Sequence, residues 1–171
     1  MATKYGYAES SDLKAVNAGH IYSVVDTVNT LENGMVVGLG EEVSGNPEVR
    51  QAVAPTKAGH VVLVLNPAVT YDQSTTAAAE EENYFVPAGT PARAYDLYAE
   101  DRFMVADYLI TALSDNVVKG NYIVANTATR KYTEVAATGF TAADYGFYAK
   151  ILDTVVKDNM TLVLVRVMKN A

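Results

Sequence analysis

The sequence predicts an all-β fold: a β-barrel or β-sandwich-like module with an extended N-terminal arm and at most one or two short helices. Three observations predict it. Valine and threonine are abundant, and tyrosine outnumbers phenylalanine twelve to four with no tryptophan, a composition that suits pleated, half-buried surfaces. Short apolar runs with strand-like periodicity follow one another along the chain. Turn residues separate nearly all of them, at the close spacing of sandwiches and barrels. A chain of 171 residues suffices for one domain with a real core.

In chain order, residues 1–18 read as an N-terminal arm, and residues 19–171 as a single β-rich domain with a candidate hinge at Pro87-Ala-Gly-Thr-Pro91. Within the arm, Ser10 or Ser11 is a candidate N-cap for a helical turn through Asp12, Leu13 and Val16, stopped by Gly19. The segments His20–Val28, Met35–Val43, Glu48–Ala54, His60–Val69, Ala92–Glu100 and Arg102–Ile110 each read as a strand. So do Asn121–Asn126, Lys131–Ala137, Tyr148–Lys157 and Met160–Met168. Glu32-Asn33-Gly34-Met35 has the Asn-Gly pair of a type I′ turn, which needs positive φ at both central residues. Ser44-Gly45-Asn46-Pro47 separates the next two strands. Lys157-Asp158-Asn159-Met160 predicts a C-terminal hairpin. Its second strand, Thr161–Val167, is apolar on both parities for most of its length, which marks it as core or subunit contact. Thr141-Ala142-Ala143-Asp144 is a second candidate helical turn, and the acidic stretch Asp72–Asn83 reads as a loop.

Composition narrows function by exclusion. Without cysteine there is no disulfide framework and no thiolate ligand or nucleophile. Two histidines are too few for a three-histidine zinc site. A net charge of −7 is the wrong sign for a protein held to nucleic acid by phosphate contacts. Apolar runs as short as Val61–Leu65 fall far below the roughly 20 residues of a membrane span, and the start of the chain lacks a secretory signal pattern. The expectation is a protein made and kept soluble inside a cell, with no nucleic-acid or membrane partner.

No motif announces a chemistry. Gly38-Leu39-Gly40 lacks the third glycine and following helix of a dinucleotide fingerprint. Glu41/Glu42 and Glu100/Asp101 are adjacent pairs, and neighbours on a strand point to opposite faces, so neither pair brackets one bond. The Glu80–Glu82 run lacks the spacing of a calcium loop. His20 and His60 each open a strand after an Ala-Gly pair, and no orienting partner is legible for either. No residue is therefore assigned to catalysis, to a cofactor or to a metal. Tyr5 and Tyr7 stand out because they lie in a polar, glycine-containing segment, where tyrosine often marks an interface. With Leu13 and Val16 they are the candidate contact residues.

One ordered string runs through most of the chain: Gly19-His20-Ile21-Tyr22, Leu31-Glu-Asn-Gly34-Met-Val-Val-Gly38-Leu-Gly40, Glu48-Val-Arg-Gln-Ala-Val-Ala-Pro55 and Pro87-Ala-Gly-Thr-Pro-Ala-Arg93. It continues through Asp101-Arg-Phe-Met-Val105, Val118-Lys-Gly120-Asn-Tyr-Ile-Val124, Lys131-Tyr-Thr-Glu-Val135 and the final hairpin. In layout this resembles the head decoration, or cement, proteins of tailed bacteriophages. The resemblance implies a non-enzymatic virion protein on the capsid exterior, assembled in the host cytoplasm. Its partner would be the major capsid protein, whose neighbouring subunits it would bridge as a trimer or other small homo-oligomer. It carries no catalytic positions. Alternatives are a tail, fibre or connector component, a carbohydrate- or surface-binding β-module and, last, a β-rich nucleotide hydrolase.

Overall fold

The computed structural model describes residues 4–15, 18–67, 83–157 and 160–171. The fold is almost entirely β, as the composition predicts. Strands β2 (Ile21–Val25), β3 (Val36–Val43), β4 (Asn46–Val53), β5 (Val62–Val64) and β6 (Ala92–Asp96) form a closed barrel in the order β2-β4-β3-β5-β6. All neighbours are antiparallel except β2 and β4, which run parallel. A seven-stranded sheet follows, in the order β1-β7-β12-β11-β9-β10-β8. It contains β1 (Ala8–Asp12), β7 (Arg102–Ala106), β8 (Ile110–Thr111), β9 (Tyr122–Ala125), β10 (Tyr132–Val135), β11 (Phe147–Lys157) and β12 (Met160–Asn170).

Two cores follow from the alternation of side chains along each strand. One fills the barrel with Val24, Leu31, Val37, Val62, Val64 and Ala94. The other lies between barrel and sheet, where Val36, Val61, Leu63 and Leu97 meet Phe103, Ile123, Tyr132, Ile151, Val163 and Val165. Strand β5 serves both cores because Val62 and Val64 face one way and Leu63 the other. Strand β12, the expected core segment, is central in its sheet, and Leu162, Val163, Val165 and Val167 are buried. Leu164, Arg166 and Met168 alternate with them and stay half-exposed.

The N-terminal segment is extended, as expected, and residues 4–15 lie along the body. In place of a helical turn from Ser10, Ser10 to Asp12 continue β1, with Ala8 opposite Val105 and Asp12 opposite Arg102. A short isolated helix is marginal in water, and ladder pairing to β7 outweighs the local serine and aspartate signals. The expected strand Arg102–Ile110 is broken by a 3-10 turn at Asp107–Leu109 that buries Leu109. The helical turn expected at Thr141–Asp144 is a 3-10 turn at Ala142–Asp144. At Asn33-Gly34 only Gly34 takes positive φ (88°), so the turn has the type II pattern rather than I′. The buried Asn33 amide instead exchanges hydrogen bonds with the Asn66 backbone (2.9 and 2.8 Å). Strands β11 and β12 pair antiparallel up to Lys157 and Met160, which is the predicted hairpin; its turn, Asp158-Asn159, and most of the acidic stretch Asp72–Asn83 lie outside the described residues.

Pro87–Pro91 is a turn within the barrel, where the Gly89 N–H bonds the Asp26 carbonyl (2.7 Å). The chain leaves the barrel at Leu97–Asp101. There the buried Asp101 carboxylate accepts the N–H groups of Tyr98 (2.9 Å) and Lys14 (3.1 Å). Barrel and sheet are clamped on another side by Arg130, which pairs with the buried Asp26 and whose carbonyl takes the Val36 N–H (2.9 Å). Burial pushes the Asp26 carboxyl up, but the Asn29 and Val28 N–H groups and the Arg130 guanidinium overcome this and hold it at about 2.

Candidate interaction surface

The inner face of the seven-stranded sheet is spent on the core, so its outer face is what it offers to solvent. Cross-strand partners share a face, and one register row on the outer face reads Asp12–Arg102–Arg166–Lys150–Tyr122–Val135 across β1, β7, β12, β11, β9 and β10. The row beneath it, Phe103–Val165–Ile151, is fully inside. Three cations therefore stand side by side on strands about 4.8 Å apart, an arrangement that repels itself. Compensation is partial: Asp12 stands opposite Arg102 on β1. Glu100, held at φ 77° by the Tyr98–Asp101 turn, brings its Oε2 to 3.4 Å from Arg166 Nη1. Arg166 Nε is shut off from solvent without an acceptor, and among the described residues neither Arg102 nor Lys150 has an ion-pair partner.

The neighbouring outer row is Lys169–Tyr148–Val124–Thr133, and an aromatic cluster grows from it. Phe140 stacks on Tyr122 (4.4 Å between centroids) and on Tyr145 (5.5 Å), and meets Tyr148 edge-on (5.0 Å). These are preferred aromatic geometries. Gly146 permits the arrangement: a Cβ there would collide with the Ala58 backbone, and its N–H bonds the Lys57 carbonyl (2.9 Å). That contact brings Lys57 Nζ over the Tyr145 ring at 4.7 Å. On the other side of the cationic row lie the half-buried Met104 and Leu164, with Glu9 opposite Met104 and Asp153, paired with Lys119 (3.5 Å), opposite Leu164. The outer face thus carries three aligned cations between an aromatic cluster and a mixed row whose middle is aliphatic.

The candidate contacts read from the sequence sit elsewhere, against the body. Tyr5 packs on Phe85 (4.4 Å), and its carbonyl accepts the Tyr108 hydroxyl (2.8 Å). Tyr7 donates to Glu9, which also binds Lys157; Lys157 and Tyr7 hold the Glu9 carboxyl below its ordinary range. Leu13 packs half-buried on the shared core, and Val16 lies outside the described residues. None of the described three joins the aromatic cluster. The residues missed from sequence are Arg102, Lys150, Arg166, Tyr122, Phe140, Tyr145 and Tyr148. One hint was visible: Arg166 is the lone charge within the apolar run Thr161–Val167.

His20 and His60, for which the sequence offers no orienting group, converge on Asp96 at the end of β6. His60 Nε2 donates to Asp96 Oδ1 (2.7 Å), which also accepts the Leu97 N–H (2.9 Å). Tyr98 donates to Asp96 Oδ2 (3.0 Å) and takes a bond from His20 Nδ1. Desolvation, followed by the Asp96 carboxylate, pushes the Tyr98 hydroxyl up to about 12. The network is a latch that ties the segments leading into β2 and β5 to the end of β6. Among the described residues no three His, Asp or Glu side chains are placed to hold a metal ion.

Two cavities are lined by described residues. One, of about 370 Å³, is lined by Asp107, Tyr108, Asp115 and Thr154 among others, and one of about 380 Å³ by Tyr22, Asn66 and Arg93. Neither takes in the histidine network or the cationic row. Compared with known proteins, the chain matches no family model, no curated protein and no solved structure.

Proposed function

We propose that this chain is a non-enzymatic structural protein of a tailed-bacteriophage virion, a decoration protein that binds the outside of an assembled head and bridges neighbouring major capsid subunits. The observation that carries this reading is the open outer face of the seven-stranded sheet. It spans seven strands, it combines aromatic and arginine groups of the kind enriched at interfaces, and a packed core lies behind it. The layout of sequence motifs supports the family assignment. Net charge of −7 favours the capsid exterior, since packaged DNA would repel such a chain. Bridging acts through linkage: a contact that spans two subunits adds association energy only in the assembled shell, and so favours assembly.

Co-sedimentation tests the reading. The purified chain is expected to pellet with undecorated heads and to stay in the supernatant with free coat subunits. Failure to bind undecorated heads overturns it, and microscopy that places the bound chain on the tail reassigns it to a tail, fibre or connector role. The Tyr122–Phe140–Tyr145–Tyr148 cluster favours one second reading, a carbohydrate-binding β-module, because flat aromatic rings can stack on sugar faces. A glycan array separates that reading from the first.

A further inference from the structure

From the register of the outer face we infer that the row Arg102–Arg166–Lys150 is a docking strip for an acidic polypeptide segment of the partner. This deepens the proposed function and rests on it for the partner's identity, while the chemistry of the strip rests on geometry alone. Three arguments carry it. First, the row violates a local rule of sheet design. Like charges directly opposite one another on neighbouring strands are destabilising, and here three are aligned on adjacent strands; Asp12 stands opposite Arg102 at the β1 end and Glu100 lies beside Arg166, while Lys150 sits between Arg166 and Tyr122 with no carboxylate opposite it. Conflicts of this kind concentrate at functional sites, because the compensating charge comes from outside the fold.

Second, the strip inverts the sign of the molecule. The chain has 20 acidic and 13 basic side chains, yet Arg102, Arg166, Lys150 and Lys169 gather on this one face, with Asp12 at one end of the row. A local field opposite to the overall one selects a partner that is locally acidic, and it disfavours a long polyanion whose remaining charges would face the rest of an acidic surface. That argues for a short carboxylate-bearing segment over duplex DNA or a long sulfated chain. Third, apolar groups flank the middle of the row: Met104 and Leu164 on one side, between Glu9 and Asp153 in their own register row, and Tyr122, Phe140 and Tyr148 on the other. The complementary segment carries carboxylates along its centre and apolar side chains on its flanks. The exposed Arg102 suits a carboxylate, because its planar fork can donate two parallel bonds.

The experiment uses the full chain with poly-L-glutamate as probe. Binding is measured by fluorescence anisotropy across a salt series, with heparin and duplex DNA run in parallel. Arg102→Glu and Lys150→Glu are compared with Arg93→Glu, which makes the same charge change at an exposed barrel position. Thermal melts check that all variants remain folded. Poly-L-glutamate is expected to bind with an affinity that falls as salt rises. Each row variant is expected to weaken it by roughly fivefold or more, while Arg93→Glu leaves it within about twofold. Equal loss in all three variants, no loss in the row variants, or tighter binding of heparin or DNA than of poly-L-glutamate overturns the inference. So does a salt-sensitive dimer abolished by Lys150→Glu, which would give the strip to a second copy of the chain. Head co-sedimentation of the same variants separates the two claims. Heads bound equally by wild type and row variants sink the strip and leave the decoration role standing. Glutamate binding mapped to the row without any binding to heads does the reverse.

Discussion

The barrel and the seven-stranded sheet solve the same packing problem in opposite ways. The barrel closes on itself, so each of its five strands has a neighbour on both sides, and no edge remains. Its outer positions include the exposed Glu41, Glu42 and Glu48. The sheet stays open, with β1 and β8 as edges and one face uncovered. Both edges are blunted: β8 is two residues long, and β1 has a register shift and exposed Ser10, Ser11 and Asp12. Charge, bulges and short strands are how natural sheets avoid pairing with other chains through their edges. The comparison teaches that the sheet guards its edges and leaves its face available, while the barrel serves as the base on which that face is built.

The largest effect is expected where the two regions share material. Leu63 is fully buried in the shared core, on a strand whose neighbours fill the barrel. Leu63→Ala is expected to destabilise the protein by about 3 kcal/mol and to leave a single transition, with tyrosine fluorescence and circular dichroism coincident in urea. Separate transitions for barrel and sheet would break the picture of one shared core.

Next is the clamp between the regions. Asp26→Asn removes one partner of a buried pair, for which about 3 kcal/mol is expected. The wild-type pair also sets an acid limit. Because the Asp26 carboxyl sits at about 2 in the folded protein instead of an ordinary 3.8, the unfolded chain takes up the proton first as pH falls. The contribution, roughly 2 kcal/mol, is fully present above pH 4 and is lost as pH drops towards 2. Urea titrations across that window are expected to show the loss in wild type and a flatter profile in Asp26→Asn.

The histidine latch sets a weaker limit at the alkaline end. Tyr98 ionises near 12 folded against 10 free, so its contribution is complete below pH 10 and declines as pH rises to 12. Tyr98→Phe is expected to remove that slope from the alkaline melting curve. The smallest effect belongs to the open face. Lys150→Gln relieves self-repulsion along the row and is expected to raise stability by about 0.3 kcal/mol, a gain in the free protein at the expense of docking. A stability loss there would mean that the row is satisfied within the fold.

These regions also differ in how much of them the sequence discloses. Strand existence is legible because it is local: alternation and turn residues place β3, β4, β9, β10, β11 and β12 within a few residues of their observed bounds. Barrel closure is not, because β2 pairs in parallel with β4 across an intervening strand, a choice made by tertiary packing. The strand expected from His60 starts only at Val62 because the Val61 N–H and carbonyl are taken by the Asn170 side chain, more than a hundred residues away, while Ala68 and Val69 at its expected end lie outside the described residues. The cationic row is hidden for the same reason. Residues 102, 150 and 166 carry no joint signal in one dimension, and they become neighbours only through the register of β7, β12 and β11. The surroundings of Tyr5 and Tyr7 show the converse: a polar, glycine-containing context reads as a segment outside the body, yet the Gly6 N–H bonds Glu32 (2.8 Å) and pins it down.

The claim that the open sheet face is the working surface is tested most directly by cryo-electron microscopy of undecorated heads incubated with the purified chain. The expected map places Tyr122, Tyr148, Lys150 and Arg166 against the shell with the barrel pointing outward. A map in which the barrel meets the shell and this face looks into solvent would contradict it.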